Sequence, residues 1–122
     1  MAIEPDRGDV QRFLEGDDKR PFVMVQLLRL AEGGRDKYVQ YSFAAQPIVR
    51  KFGGEVLYAG SCTEPLLAPP GQGWDGVVIV RYPSRAAYVQ FHQSPEYRAI
   101  VHLRGEALRE SMLLPMDDWP GR

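Results

Sequence analysis

The sequence predicts an α+β fold: a four-stranded antiparallel sheet of order β-α-β-β-α-β with its helices on one face, preceded by a short extra helix. Three observations carry this. Four apolar segments of strand length alternate with segments of helical period in that order. Right-handed crossovers would place both connecting helices on the same face of the sheet. Two of the strands are apolar on both faces, where a half-exposed antiparallel sheet should alternate with polar residues.

The 122 residues make one domain, its core spanning about 20–116, with an N-terminal helix and connector over 1–19 and a tail over 117–122. "DRGDVQRFLEG" (6–16) reads as the leading helix: Asp9 can cap it, Val10, Phe13 and Leu14 form its apolar stripe, and Gly16 can end it. "FVMVQLLRL" (22–30) is the first strand, with Phe22, Met24, Gln26, Leu28 and Leu30 on one face and Val23, Val25, Leu27 and Arg29 on the other. A helix follows, with Asp36 as its cap and a stripe of Tyr41, Ala45, Ile48 and Phe52. Pro47 should kink it, Arg50 and Lys51 suit the negative end of its dipole, and Gly53 supplies a left-handed stop.

"EVLYAGSC" (55–62) is the second strand, and the Pro- and Gly-rich 63–73 segment is a loop. "WDGVVIVRY" (74–82) is the third strand, which Pro83 ends. Ser84 caps a short helix with Ala87, Tyr88 and Phe91 inward. Ser94 and Pro95 then start a further helix as N-cap and first residue, with Tyr97, Ile100, Val101, Arg104 and Leu108 on its inward side. "ESMLLPM" (110–116) is the last strand.

Composition removes several function classes. Hydrophobic residues make up 44% and charged residues 25%, which is ordinary for a globular chain. With 15 basic and 16 acidic residues and no basic block, nothing could neutralise a run of phosphates, so nucleic acid is not an expected partner. No apolar run reaches the roughly 18 residues of a membrane span, and the polar start "MAIEPDRGD" is not a signal peptide. The single cysteine, Cys62, reads as a small buried or half-buried hydrophobe, and its solitude points to a reducing cytoplasm.

The second apolar sheet face needs cover. The leading helix could hide part of it, and a second copy of the chain could hide all of it. At about 25 cal/mol per Å², several hundred Å² of apolar burial outweighs much of the cost of association. The expectation is a two-fold homodimer, sheet against sheet.

"KFGGEVLYAG", "WDGVVIVRYPSRAAYVQFHQSPEY" and "LRGEALRESMLLP" together resemble the family catalogued as domain of unknown function 1330. The likeness lies in a Gly-Gly before the second strand, an aromatic-Pro-Ser after the third, a Ser-Pro-Glu-Tyr helix start, and a helix ending in Arg before the last strand. It covers about residues 20–116, with Gln26 standing where the family pattern leads one to expect Asn. The resemblance implies a ferredoxin-like fold of the dimeric α+β barrel superfamily, whose two sheets close a barrel. That superfamily holds cofactor-free monooxygenases, haem-degrading enzymes, isomerases and non-enzymatic members, so the fold does not choose a reaction.

Residue chemistry narrows the site. His92 and His102 lack zinc-ligand spacing, and no cofactor is expected. A single axial His for haem competes with the plainer reading of His92 as a helix-end cation. Ser84 and Ser94 are explained as caps, and no glycine-rich segment leads on to GK[ST]. Asp17-Asp18 and Asp117-Asp118 lie in polar connectors and read as solvated, while Glu55 and Asp75 start strands.

What remains are polar residues on apolar strands. Gln26 and Arg81 are expected to face the barrel interior, where each needs a partner or a ligand. For Arg81 the partner could be Glu55 or a residue across a dimer interface. A small-molecule pocket between sheet and helices, with Tyr38, Tyr58 and Trp74 as aromatic walls and Tyr41 as a weaker one, is one reading. A metal-free oxygenase or isomerase, with Arg81 stabilising an enolate-like anion and a Tyr or His92 moving protons, is a second. A dimer with a filled interior is a third.

Overall fold

The computed structural model describes every residue except Met1, Asp18 and Arg122, so Asp18 of the Asp17-Asp18 pair lies outside the described residues. The elements are α1 (Arg7–Glu15), β1 (Phe22–Leu30), α2 (Gly34–Lys51), β2 (Glu55–Ser61), β3 (Gly76–Tyr82), α3 (Arg85–Gln93), α4 (Pro95–Arg98), α5 (Val101–Ala107) and β4 (Leu108–Met116). The strands form one antiparallel sheet in the order β2-β3-β1-β4, the ferredoxin-like arrangement expected.

Local expectations are corrected at both of the first two helix starts and at Cys62, which is exposed at the end of the second strand instead of buried or half-buried. Asp6, not Asp9, caps α1: the Asp6 carboxylate accepts from the Asp9 N–H at 2.8 Å, and the Asp9 carboxylate accepts from the Asp6 N–H at 2.9 Å. Both acids therefore belong to one capping box. Asp36 does not cap α2, which starts from Gly33 in the left-handed conformation at φ 69°, with no side-chain cap. A Cβ at Gly34 would overlap the Ala107 carbonyl oxygen, so α2 and α5 meet too closely there for a larger residue. α2 then runs unbroken through Pro47 to Lys51, and Gly53 follows at φ 85° as the expected left-handed stop.

The helix expected after Ser94 is two pieces. Ile100, between them, widens to φ −118°, and its N–H bonds the Tyr97 carbonyl three residues back at 3.0 Å. The break preserves the inward side, so Tyr97 and Arg104 are both buried, and periodicity does not reveal it. Leu108 is buried as expected but opens β4 instead of closing the helix.

Register assigns the faces. Gln26 pairs with Val78 and Leu113, and Met24 pairs with Val80, so Phe22, Met24, Gln26, Val78, Val80 and Tyr82 share one side. The helices pack on that side over an aromatic core. Phe13 of α1 meets Phe22 edge-on at 5.4 Å and Tyr88 at 5.6 Å, which places α1 with the other helices and not on the second face. The second face carries Val23, Val25, Leu27, Val77 and Ile79, all part-exposed, and the exposed Met112 and Met116. It is apolar and open.

Candidate functional site: a cavity between sheet and helices

A cavity of about 270 Å³ lies between the helix-bearing face of the sheet and α2. Leu28, Ala45, Val49, Val78 and Val80 give it apolar walls, Gln26, Tyr38, Tyr41, Tyr97, Glu4 and Arg104 make a polar end, and Arg35 and Asp75 also line it. β1 delivers Gln26, α2 delivers both Tyr38 and Tyr41 one turn apart, and α4 and α5 deliver Tyr97 and Arg104. Glu4 comes from the segment before α1.

Arg104 organises this end. It is 1% exposed. Nη1 donates to the Ile3 carbonyl at 2.8 Å and to the Glu4 carboxylate. Nη2 donates to Ser111 Oγ at 2.7 Å and to Gln26 Oε1 at 3.2 Å. The other Glu4 oxygen lies 3.0 Å from His92 Nε2. His92 stacks on Tyr88 with the ring centres 5.7 Å apart, and Arg98 Nη2 lies 3.1 Å from each ring nitrogen. The Tyr41 and Tyr97 hydroxyls are 2.7 Å apart.

Burial alone would raise the Glu4 carboxyl, but the hydrogen bond to His92 and the Arg104 charge outweigh it and hold Glu4 below the usual carboxylate range. Burial likewise opposes the Arg104 charge, and the Glu4 carboxylate more than restores it. Burial pushes the Tyr38, Tyr41 and Tyr97 phenols up, so they stay neutral hydrogen-bonding groups. At neutral pH the cavity therefore ends in one matched ion pair, an amide and three neutral phenols.

The residues singled out in the sequence are not brought together. Gln26 and Tyr38 line the cavity. Arg81 does not: it pairs in register with Val23, so it lies on the opposite face from Gln26, against the expectation that both face one interior. The period of two decides this, since Val78 is the register partner of Gln26 and Arg81 lies an odd number of residues beyond it on β3. Glu55 is the register partner of Arg81, but no ion pair joins them among the described residues. Tyr58 is exposed on the edge strand and lies over Gly60. Trp74 receives the Arg29 guanidinium at 4.2 Å, beside an Arg29–Glu110 ion pair. His92 is buried behind the lining, against Glu4, Tyr88 and Tyr97.

Glu4, Tyr97 and Ser111 escaped notice. Glu4 sits in a short polar segment without periodicity, and Tyr97 reads as core. Arg104 was legible as a charge on an inward helical stripe, though its partners were not. Among the described residues no three His, Cys, Asp or Glu side chains converge as metal ligands, and no helix is long and apolar enough to cross a membrane.

Residues 27–116 match the family model described as "Domain of unknown function (DUF1330)". The chain belongs to this family. A family-scale likeness also appears in structure: a protein of unknown function from Rhodopseudomonas palustris is 30% identical, with 96% of each chain covered and a TM-score of 0.86. A dimeric protein of unknown function with a ferredoxin-like fold from Bacteroides fragilis is 12% identical, with 80% of this chain and 96% of that one covered and a TM-score of 0.57. A Bacteroides thetaiotaomicron protein, named only provisionally as an antibiotic biosynthesis monooxygenase, is 16% identical, with coverage of 84% and 91% and a TM-score of 0.56. The last two show the fold alone. No curated protein matches the chain.

Proposed function

We propose that the protein is a cytoplasmic homodimer that binds a small organic molecule in the cavity between the sheet and its helices. The observation that carries this is the cavity itself: apolar walls lead to a polar end whose groups are already positioned by one another. Its volume, about 270 Å³, is near the lower limit of small-molecule sites, roughly 300 Å³, and fits compounds the size of a single aromatic ring. The test is a thermal-shift and calorimetric panel of single-ring aromatic compounds against the wild type and Ala45→Phe, which fills the cavity. A ligand that stabilises the wild type and not the variant supports the reading. Ligand-free behaviour throughout, with Ala45→Phe destabilised by overpacking, would instead support the non-enzymatic scaffold with a filled interior.

The open sheet face supports the homodimer. Valine, isoleucine, leucine and methionine side chains there lack cover, and burying them against a second copy would yield about 25 cal/mol per Å². Light scattering at micromolar concentration should give twice the 13.8 kDa chain mass.

A cofactor-independent isomerase or oxygenase is the second reading. Glu4 favours it: a carboxylate at the cavity wall, hydrogen-bonded to His92 behind it, can accept a proton from a bound carbon acid. The enolate-stabilising role then passes from Arg81 to the Gln26 amide. Solvent deuterium entering the α-carbon of a bound ketone, and lost in Glu4→Gln, would establish this reading.

A further inference from the structure

A buried arginine at the end of an apolar cavity ordinarily marks an anion receptor. Arg104 is not free for that role. A guanidinium has five N–H donors, four of them on its terminal nitrogens. Those nitrogens already make four bonds, to the Ile3 carbonyl, Glu4, Gln26 and Ser111. The Glu4 carboxylate also cancels the charge. An incoming carboxylate would shed its water, find the Arg104 charge already taken, and lie beside Glu4 as a like charge, while the other lining arginine, Arg35, is solvent-exposed.

What the cavity does offer is an amide. Arg104 takes Gln26 Oε1, which fixes the amide orientation and leaves its N–H donors without a partner among the described residues. No buried side-chain nitrogen or oxygen of the described residues lacks a partner, so that nitrogen is not sealed in the core, and Gln26 lines the cavity. Neutral tyrosine hydroxyls belong to residues on the same lining. An N–H donor beside phenols, with no net charge, is complementary to an uncharged carbonyl oxygen.

We propose that Glu4 sets the ligand class of this cavity: by occupying Arg104 it makes the site take uncharged carbonyl compounds, such as aryl ketones or aldehydes, and refuse the matching carboxylates. This rests on the pocket reading above. The determinant is thus supplied by the N-terminal segment, tied down through the Ile3 carbonyl, and not by the sheet.

The experiment compares acetophenone with benzoate by isothermal titration at neutral pH, in wild type, Glu4→Gln and Gln26→Leu, with Ala45→Phe as the filled control. Wild type should bind acetophenone about tenfold or more tightly than benzoate, because a like-charge contact costs at least that much. Glu4→Gln keeps the shape and frees the Arg104 charge, so the ratio should collapse by about tenfold through a gain for benzoate. Gln26→Leu should lose acetophenone. Equal affinities in wild type, or an unchanged ratio in folded Glu4→Gln, overturn the inference while leaving a pocket. If neither compound binds wild type, or if Ala45→Phe binds as well as wild type, the pocket reading fails and takes the inference with it. Should Glu4→Gln not fold, the wild-type ratio and Gln26→Leu decide.

Discussion

Met24 and Val25 are neighbours on β1 and point to opposite sides of one sheet. Met24 is 3% exposed beneath the helices, while Val25 stays part-exposed on the open face. Both faces are apolar by composition. The same contrast separates two arginines: Arg104 has four side-chain bonds and almost no exposure, whereas Arg81 faces Glu55 across β2–β3 without an ion pair. Cover, more than residue type, turns a polar interruption of an apolar stripe into an organised site. Where helices lie over the sheet, Gln26 is held and aimed. Where nothing lies over it, Arg81 is one side chain at a margin.

The largest expected break in this contrast is at the arginines. Arg104→Leu leaves Glu4 as an uncompensated buried charge and removes the partners of Gln26 and Ser111. We expect a loss of about 3–5 kcal/mol in urea unfolding. Arg81→Leu should change the same measurement by no more than about 0.5 kcal/mol. Comparable losses at both positions would show that the two faces are not as different as burial makes them.

Next come the neighbouring strand residues. Met24→Ala should cost about 2–5 kcal/mol at any protein concentration, as a large-to-small change in a packed core. Val25→Lys should leave the folded chain intact but reduce the scattering mass to that of one chain and abolish the concentration dependence of Tm. A Val25→Lys protein that remains dimeric would place the interface elsewhere.

The fold was readable because its signals are local and repeated. Short Val- and Leu-rich apolar runs give β1 and β3, Ser84 and Ser94 mark two helix starts, and Gly53 marks one helix end. The site was only half readable. Gln26 and Tyr38 stood out as polar or aromatic residues on identified elements, but Gln26 is held by Arg104, 78 positions away on α5, and Arg104 in turn by Glu4, 100 positions away in the N-terminal segment. Nothing local in "AIEPD" shows that its glutamate will neutralise an arginine on a distant helix. The misplacement of Arg81 has a different cause. Face assignment within a strand is secure, but which face of β3 matches which face of β1 depends on register, and register is a tertiary fact.

A smaller effect follows from pH. The Glu4 carboxyl lies below its ordinary value in the folded chain, so the unfolded chain takes up its proton first as pH falls. The stability contributed by Glu4 is therefore fully present above the ordinary carboxyl pKa and is lost as pH falls through the lower folded value. Asp6 and Glu96 shift the same way at the surface, so the informative quantity is the difference between wild type and Glu4→Gln. That difference should shrink as pH drops through the acid range. If it held constant down to the point of acid unfolding, the Glu4 charge would not be what joins the N-terminal segment to Arg104.

The smallest expected effect tests whether the phenols are core or site. Tyr97 is packed like any core aromatic, 4.4 Å from Phe91 between ring centres, yet its hydroxyl meets that of Tyr41 at the cavity wall. Tyr97→Phe keeps the ring packing and removes one hydroxyl, so it should cost only about 1 kcal/mol, and Tyr41→Phe about the same. Each single variant leaves the other hydroxyl without its partner, whereas the double variant leaves none. The double loss should therefore fall below the sum of the singles, with the coupling measured by a double-mutant cycle in urea. Additive losses would mean that each hydroxyl finds cavity water as readily as it finds the other, and that the pair stands open to whatever enters the cavity.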